Sequence, residues 1–140
     1  MKEKINELIP RAIDAITASK IVVNGHVKKE FKGYISSIGS SIIQAGLMPS
    51  LAFFQNSSGK NADSYRVLDA VLRLIKSNYR ENERLIDYVI TTCRNHNNTN
   101  QIYRLHDLNH DKMNEIESEI TDALISLKLA LRTFKIDEDE

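Results

Sequence analysis

The sequence is poor in several residue types: its 140 residues include no tryptophan, two prolines, five glycines and one cysteine. β-Sandwiches and disordered chains are usually richer in turn-forming residues, so this composition favours a helical globular protein. The single cysteine, Cys93, cannot form an internal disulfide, which agrees with a reducing compartment. The net charge is zero, and this argues against strong non-specific binding of the free chain to nucleic acid.

The sequence also has no long hydrophobic run. None approaches the roughly 20 apolar residues that a membrane-spanning helix needs, and the first residues lack the apolar centre of a signal peptide. These observations predict a cytoplasmic protein with no membrane partner. Because 140 residues can bury a core of their own, we expect one helical domain over residues 1–140, with a disordered acidic tail over 135–140.

Apolar residues recur every three or four positions along most of the chain, which is the spacing of an amphipathic helix. This periodicity predicts an all-α fold, a compact bundle of about six helices in a single domain, without any β-strand. The predicted helices cover about 4–19, 26–45, 49–54, 62–78, 81–94 and 110–134, with one further helical turn at 102–105.

Residues 34–54 form the most apolar stretch of the chain. Gly46 is placed where a left-handed helix cap is least costly, and Pro49 is placed where a new helix begins without losing a hydrogen bond. The stretch therefore predicts two helices joined by a tight corner. In the second of these helices we expect Leu51, Phe53 and Phe54 to fill the core.

One group of residues has the side-chain types of a zinc site, namely Cys93, His96, His106 and His110. Their spacing matches no common zinc motif, so we interpret them as a buried thiol with surface or capping histidines. A zinc-dependent hydrolase is the minor alternative, which the zinc content of the purified protein would reveal. The chain also lacks a nucleophile elbow and a glycine-rich phosphate loop. We therefore expect no enzymatic activity, no cofactor and no metal.

Charge is unevenly distributed along the chain. Residues 1–104 carry 15 Lys and Arg against 9 Asp and Glu, whereas residues 105–140 carry 4 against 10. Positive side chains of the basic part can hold a phosphate backbone without reading the base sequence. The candidate RNA-binding residues are Lys28, Lys29, Lys32, Lys60, Arg66, Arg73 and Arg104. The alternative interpretation is that these residues only solvate the polar faces of amphipathic helices.

A series of short motifs spans almost the whole chain. It comprises Lys32-Gly33-Tyr34, Gly46-Leu47, Ala52-Phe53 and Lys60, followed by a helix with Tyr65 and Leu68 and later by Tyr103-Arg104. In order and overall length these motifs resemble the small-subunit family of the type III-B CRISPR RNA-guided effector, the Cmr complex. The chain differs from the family pattern at Ser36 and Ser37, where lysines are common.

The resemblance implies a non-catalytic helical subunit of this antiviral effector complex. Several copies would stack along the duplex of crRNA and target RNA, beside the larger subunits, and would contact the RNA backbone. The implied partners are other effector-complex subunits, copies of the same chain and crRNA/target RNA, with no small-molecule substrate. The alternative function is a helical protein-interaction module without nucleic-acid binding, because the same periodicity would serve any helical bundle.

Overall fold

The computed structural model describes residues 2–56, 63–76, 78–80, 82–94 and 108–137 of the chain. Within these residues the chain forms six helices and three short strands. The helices are α1 (Lys2–Ala18), α2 (Glu30–Ala45), α3 (Leu47–Phe54), α4 (Ser64–Ile75), α5 (Leu85–Cys93) and α6 (His110–Leu131), and the strands are β1 (Val22–Val23), β2 (His26–Lys28) and β3 (Lys135–Asp137). The predicted fold class, a compact bundle of about six helices, is therefore confirmed, with a small sheet added.

The centre of the core lies where α1, α4 and α6 meet. α1 packs most extensively against α6, and α4 contacts both of these helices. Ile16 of α1, Leu68 of α4 and both Ile120 and Leu127 of α6 are completely buried in one hydrophobic cluster. Burial of each such side chain contributes about 1.5–3 kcal/mol. The three- and four-residue spacing in the sequence thus corresponds to the apolar stripes by which these helices pack.

The corner between α2 and α3 forms as the sequence predicts. α2 ends at Ala45, and Gly46 follows with φ 98°, a conformation that glycine adopts without a side-chain clash. The Gly46 N–H donates to the carbonyl of Ile42, 3.0 Å away. α3 begins at Leu47, slightly earlier than predicted, so Pro49 lies in the first helical turn, where its missing N–H leaves no intrahelical bond unmade.

Only one side of α3 faces the core. Leu51 and Phe54 are buried, as expected, but Phe53 is 62% exposed, so the prediction that it fills the core is wrong. Consecutive helical residues point about 100° apart. Because α3 buries only one side, the side chain next to Phe54 points towards solvent. Phe53 instead packs on the edge of Phe54, with the ring centroids 4.9 Å apart.

The structure contains a three-stranded sheet: β1 and β2 precede α2, and β3 follows α6. β2 lies where the sequence predicts helix. β1 and β2 pair antiparallel around Asn24 and Gly25, whose φ values of 55° and 79° suit a two-residue hairpin turn. β3 pairs parallel to β2, with Val27 opposite Ile136. The prediction of helix over 26–29 and the prediction of a chain without strands are therefore wrong. Val27 is completely buried, because the middle residue of β2 points into the core.

Two other predictions extend beyond the described residues. The helical turn at 102–105 lies outside them, and so do residues 138–140 of the expected disordered tail. Residues 135–137 of that tail form the strand β3. Among the helices of the described chain, none combines the length and the hydropathy that crossing a membrane requires.

Candidate nucleic-acid interface

Three candidate RNA-binding residues lie together at the junction between β2 and α2. Lys28 ends the strand, Lys29 precedes the first residue of the helix, and Lys32 lies in the first helical turn. All three side chains are exposed, and none forms an ion pair with any residue that the structure describes. The Lys32 N–H donates to the Lys29 carbonyl, 3.1 Å away. We call Lys28, Lys29 and Lys32 the lysine junction.

The N-terminus of α2 adds to the positive potential of the lysine junction. Aligned backbone dipoles give a helix a partial positive charge at its N-terminus, which favours anions and disfavours cations. Glu30 in the first turn offsets part of the charge of the three lysines. A positive excess is left on the surface, and phosphate oxygens have the charge that would neutralise it.

Lys28 also lines a groove of about 410 Å³, which we call the strand groove. Its walls carry three cations, Lys20, Lys28 and Arg66, and one carboxylate, Asp63. Arg66 is held in place, because its Nε lies 3.3 Å from Asp63 Oδ1 and its Nη1 donates to the Ser19 carbonyl at 3.4 Å. The structure therefore brings together two predicted residues, Lys28 and Arg66, and adds Lys20, which the sequence reasoning missed.

Arg66 also lines a second space of about 500 Å³, which we call the tyrosine cavity after Tyr65 and Tyr79 in its wall. Arg73, the other predicted arginine of α4, lies in the same wall. Arg73 Nε lies 3.1 Å from Asp69 Oδ2, and the guanidinium carbon lies 3.9 Å from the centre of the Tyr79 ring. The Tyr79 hydroxyl donates to the other carboxylate oxygen of Asp69. Arg73 is thus a fixed, half-buried group rather than a mobile surface charge.

This network lowers the acidity of Tyr79. Burial and the hydrogen bond to Asp69 raise the pKa of Tyr79 from 10.0 to about 12, because both disfavour the charged phenolate. The hydroxyl therefore stays protonated, and remains a donor to Asp69, throughout the neutral pH range.

The four candidate zinc ligands are only partly described. Cys93 is completely buried at the end of α5, and burial raises the pKa of its thiol, an effect that Lys112 partly opposes. His110 is exposed at the start of α6, where the Asn109 side chain accepts the capping hydrogen bond from the Lys112 N–H at 3.1 Å. His96 and His106 lie outside the described residues. Within the described ranges, no three side chains of ligand type cluster closely enough to hold a metal ion.

The remaining RNA-binding candidates, Lys60 and Arg104, also lie outside the described residues. Of the seven candidates, the structure therefore places five: three at the lysine junction and two, Arg66 and Arg73, in the wall of the tyrosine cavity. A role in RNA binding stays a prediction for all seven.

The fold and its charges define a small helical protein with an exposed basic surface, a class to which many subunits of nucleic-acid-binding assemblies belong. The family model described as CRISPR-associated protein (Cas_Cmr5) matches residues 6–119, and the chain belongs to this family. The resemblance seen in the sequence is thereby confirmed, and membership supports a small subunit of type III-B CRISPR complexes. No curated protein and no solved structure matches the chain significantly.

Proposed function

We propose that this chain is a non-catalytic subunit of a cytoplasmic, antiviral Cmr effector complex and that it contacts the phosphate backbone of the crRNA/target-RNA duplex. The observation that carries the proposal is the lysine junction: three exposed lysines without described ion pairs, at the positive end of α2, in a chain of the Cas_Cmr5 family. Lysine ammonium groups bind phosphates as point charges and carry no sequence information. Such contacts suit a subunit that holds any guide and target by duplex shape and charge.

Co-purification from the native host tests this function. A tagged copy of the chain is isolated, and the bound proteins and RNA are identified before and after ribonuclease treatment. We expect a multi-subunit particle that contains a guide RNA. Recovery of the chain alone, or with protein partners but no RNA, would contradict the proposal and favour a protein-interaction module. Stoichiometric zinc in the purified chain would instead favour the hydrolase alternative.

We further propose that several copies of the chain stack head to tail along the RNA, the acidic part of α6 in one copy meeting the basic surface of the next. Glu115 is exposed, and Glu117 and Glu119 are half-exposed. None of these three carboxylates forms an ion pair with the described residues. They are therefore available to a partner of opposite charge.

Charge reversal on α6 is expected to weaken this stacking. The variant Glu115→Lys, Glu117→Lys, Glu119→Lys replaces attraction between copies by repulsion, and salt screens the effect because the charges are near the surface. Sedimentation of the assembled particle should show loss of copies at about 0.05 M salt and a smaller loss at about 0.5 M. The matched control reverses Glu3, Glu7 and Asp14 of α1. An unchanged assembly profile for the α6 variant, or an equal change in both variants, would exclude this surface.

A further inference from the structure

The tyrosine cavity has the size and the chemistry of a small-ligand site. Its volume of about 500 Å³ lies within the range of about 300–1,000 Å³ that is common for such pockets. The wall contains four cations, Lys20, Arg66, Arg73 and Arg84, with two carboxylates, Asp69 and Glu83. Asp63 and Asp87, which lie outside this wall, pair with Arg66 and Arg84. Lys20 forms no ion pair with a described residue, and its charge favours an anionic ligand.

The cavity also presents planar groups. The guanidinium carbon of Arg73 lies 3.9 Å from the centre of the Tyr79 ring, and that of Arg66 lies 5.3 Å from the centre of the Tyr65 ring. Tyrosine rings and arginine guanidinium planes are the surfaces on which proteins stack nucleobases. Inorganic phosphate or an acidic peptide would use the charges of this wall but not its rings.

Two further groups in the wall lack partners among the described residues. The side-chain oxygen of Gln55 is buried and accepts no hydrogen bond from them. Lys20 forms no ion pair with them. The Gln55 oxygen has almost no accessible surface, so a ligand in the cavity does not reach it without a movement of the side chain. The Lys20 side chain is exposed, and its ammonium group is open to an anion.

The backbone of the wall is unusual at two positions. Lys20 and Asn82 have φ values of 66° and 70°, and both line the tyrosine cavity. At Lys20 the left-handed backbone closes the C-terminus of α1, where the Ile21 N–H donates to the Ile16 carbonyl at 3.1 Å. Lys20 lines both the tyrosine cavity and the strand groove. Its ammonium group forms no ion pair with a described residue.

We propose that the tyrosine cavity binds a single nucleotide. Lys20 and Arg66 would hold its phosphate, and its base would stack against the paired planes of tyrosine and arginine. The ligand is either a free nucleoside 5′-phosphate or one unpaired nucleotide of an RNA strand, since the two share this chemistry. The tyrosine cavity shares no residue with the lysine junction, although Lys20 and Arg66 also line the strand groove beside Lys28. The proposal does not depend on the proposed backbone contacts.

Calorimetric titration of the full chain tests the proposal and separates the two sources. The probes are 5′-AMP, adenosine, inorganic phosphate, a single-stranded RNA and the same RNA in a full duplex. We expect 5′-AMP or the single strand to bind one-to-one. Adenosine and inorganic phosphate should bind at least about 10-fold more weakly than 5′-AMP, because adenosine contacts only the rings of the wall and phosphate only its cations. Binding of 5′-AMP without competition by the single strand would assign a free nucleotide. Mutual displacement would assign an unpaired nucleotide of RNA.

Two variants tie binding to the cavity. Lys20→Gly removes the cation, and glycine suits the left-handed backbone, so the thermal midpoint should be no lower than that of the wild type. The affinity for 5′-AMP should fall about 10-fold, which is the effect of losing one charged phosphate contact. Tyr65→Leu removes one ring and should weaken 5′-AMP about 5- to 100-fold without affecting inorganic phosphate. Lys112→Ala, an exposed lysine of α6, is the control.

Three results would overturn the proposal: no saturable binding of any probe, equal affinity for 5′-AMP and inorganic phosphate, or wild-type affinity in both cavity variants. None of them bears on the lysine junction, because backbone contacts at that junction are tested separately by the salt dependence of duplex binding.

Discussion

The substitution Phe54→Ala is expected to lower the free energy of unfolding by about 3–5 kcal/mol. Phe54 is 5% exposed and belongs to the core cluster. Removing its ring leaves a cavity that the surrounding helices fill only in part. The Phe54 carbonyl also accepts a hydrogen bond from Ser64 Oγ at 2.8 Å, joining the end of α3 to the start of α4. Urea unfolding followed by helical circular dichroism measures the loss.

The neighbouring substitution Phe53→Ala is the matched control. Phe53 has the same side chain in the same helix, but it is 62% exposed. Its contribution is limited to the edge-to-face contact with Phe54, so we expect a loss of at most about 1 kcal/mol. Equal losses for the two variants would contradict the orientation of α3 described above.

The two phenylalanines show why part of the core could not be predicted from the sequence. α3 has eight residues and is apolar on nearly every side, so hydrophobic periodicity does not identify its inner face. In α6, which has 22 residues, apolar residues recur every three or four positions over six turns, and Ile116, Ile120 and Leu127 of this stripe are buried. Periodicity is informative in proportion to helix length and to the contrast between faces.

The sheet was missed for a related reason. β2 has three residues, too few to distinguish a strand period of two from a helical period of 3.6. Its partner β3 lies at the other end of the chain, and the pairing of Val27 with Ile136 has no local signal. Asn24-Gly25 was the available indication, because this dipeptide is the strongest short-range signal of a hairpin.

The candidate site likewise has a part that could be predicted from the sequence and a part that could not. Lys28, Lys29 and Lys32 are close in sequence, so their proximity could be predicted without a fold. The position of Lys20 beside Arg66 could not, because it depends on how the end of α1 meets α4. The pairing of Arg66 with Asp63 and of Arg73 with Asp69 did have a signal, because these residues are three and four positions apart on a helix. The structure thus separates a flexible basic surface from a set of positioned arginines.

The lysine junction is expected to have a large effect on the affinity for RNA and on its salt dependence. A cation that contacts a phosphate releases counterions from RNA, and each contact steepens the salt dependence of binding by about 0.7–0.9 in a plot of log affinity against log salt. Lys28 and Lys32 are exposed and have no described ion pair to break. Their removal should therefore affect RNA binding without affecting stability.

We expect the double variant Lys28→Ala, Lys32→Ala to reduce the affinity of the assembled particle for target RNA roughly 10- to 100-fold at about 0.1 M salt, and to lower the salt slope by about 1.4–1.8 units. The reduction should be equal for unrelated guide and target sequences, because backbone contacts carry no sequence information. The control variant Lys112→Ala, Arg132→Ala removes the same charge from exposed positions of α6 and its C-cap, and should leave the slope unchanged. If both variants lowered the slope alike, the effect would come from total charge, and the junction would have no specific role in holding RNA.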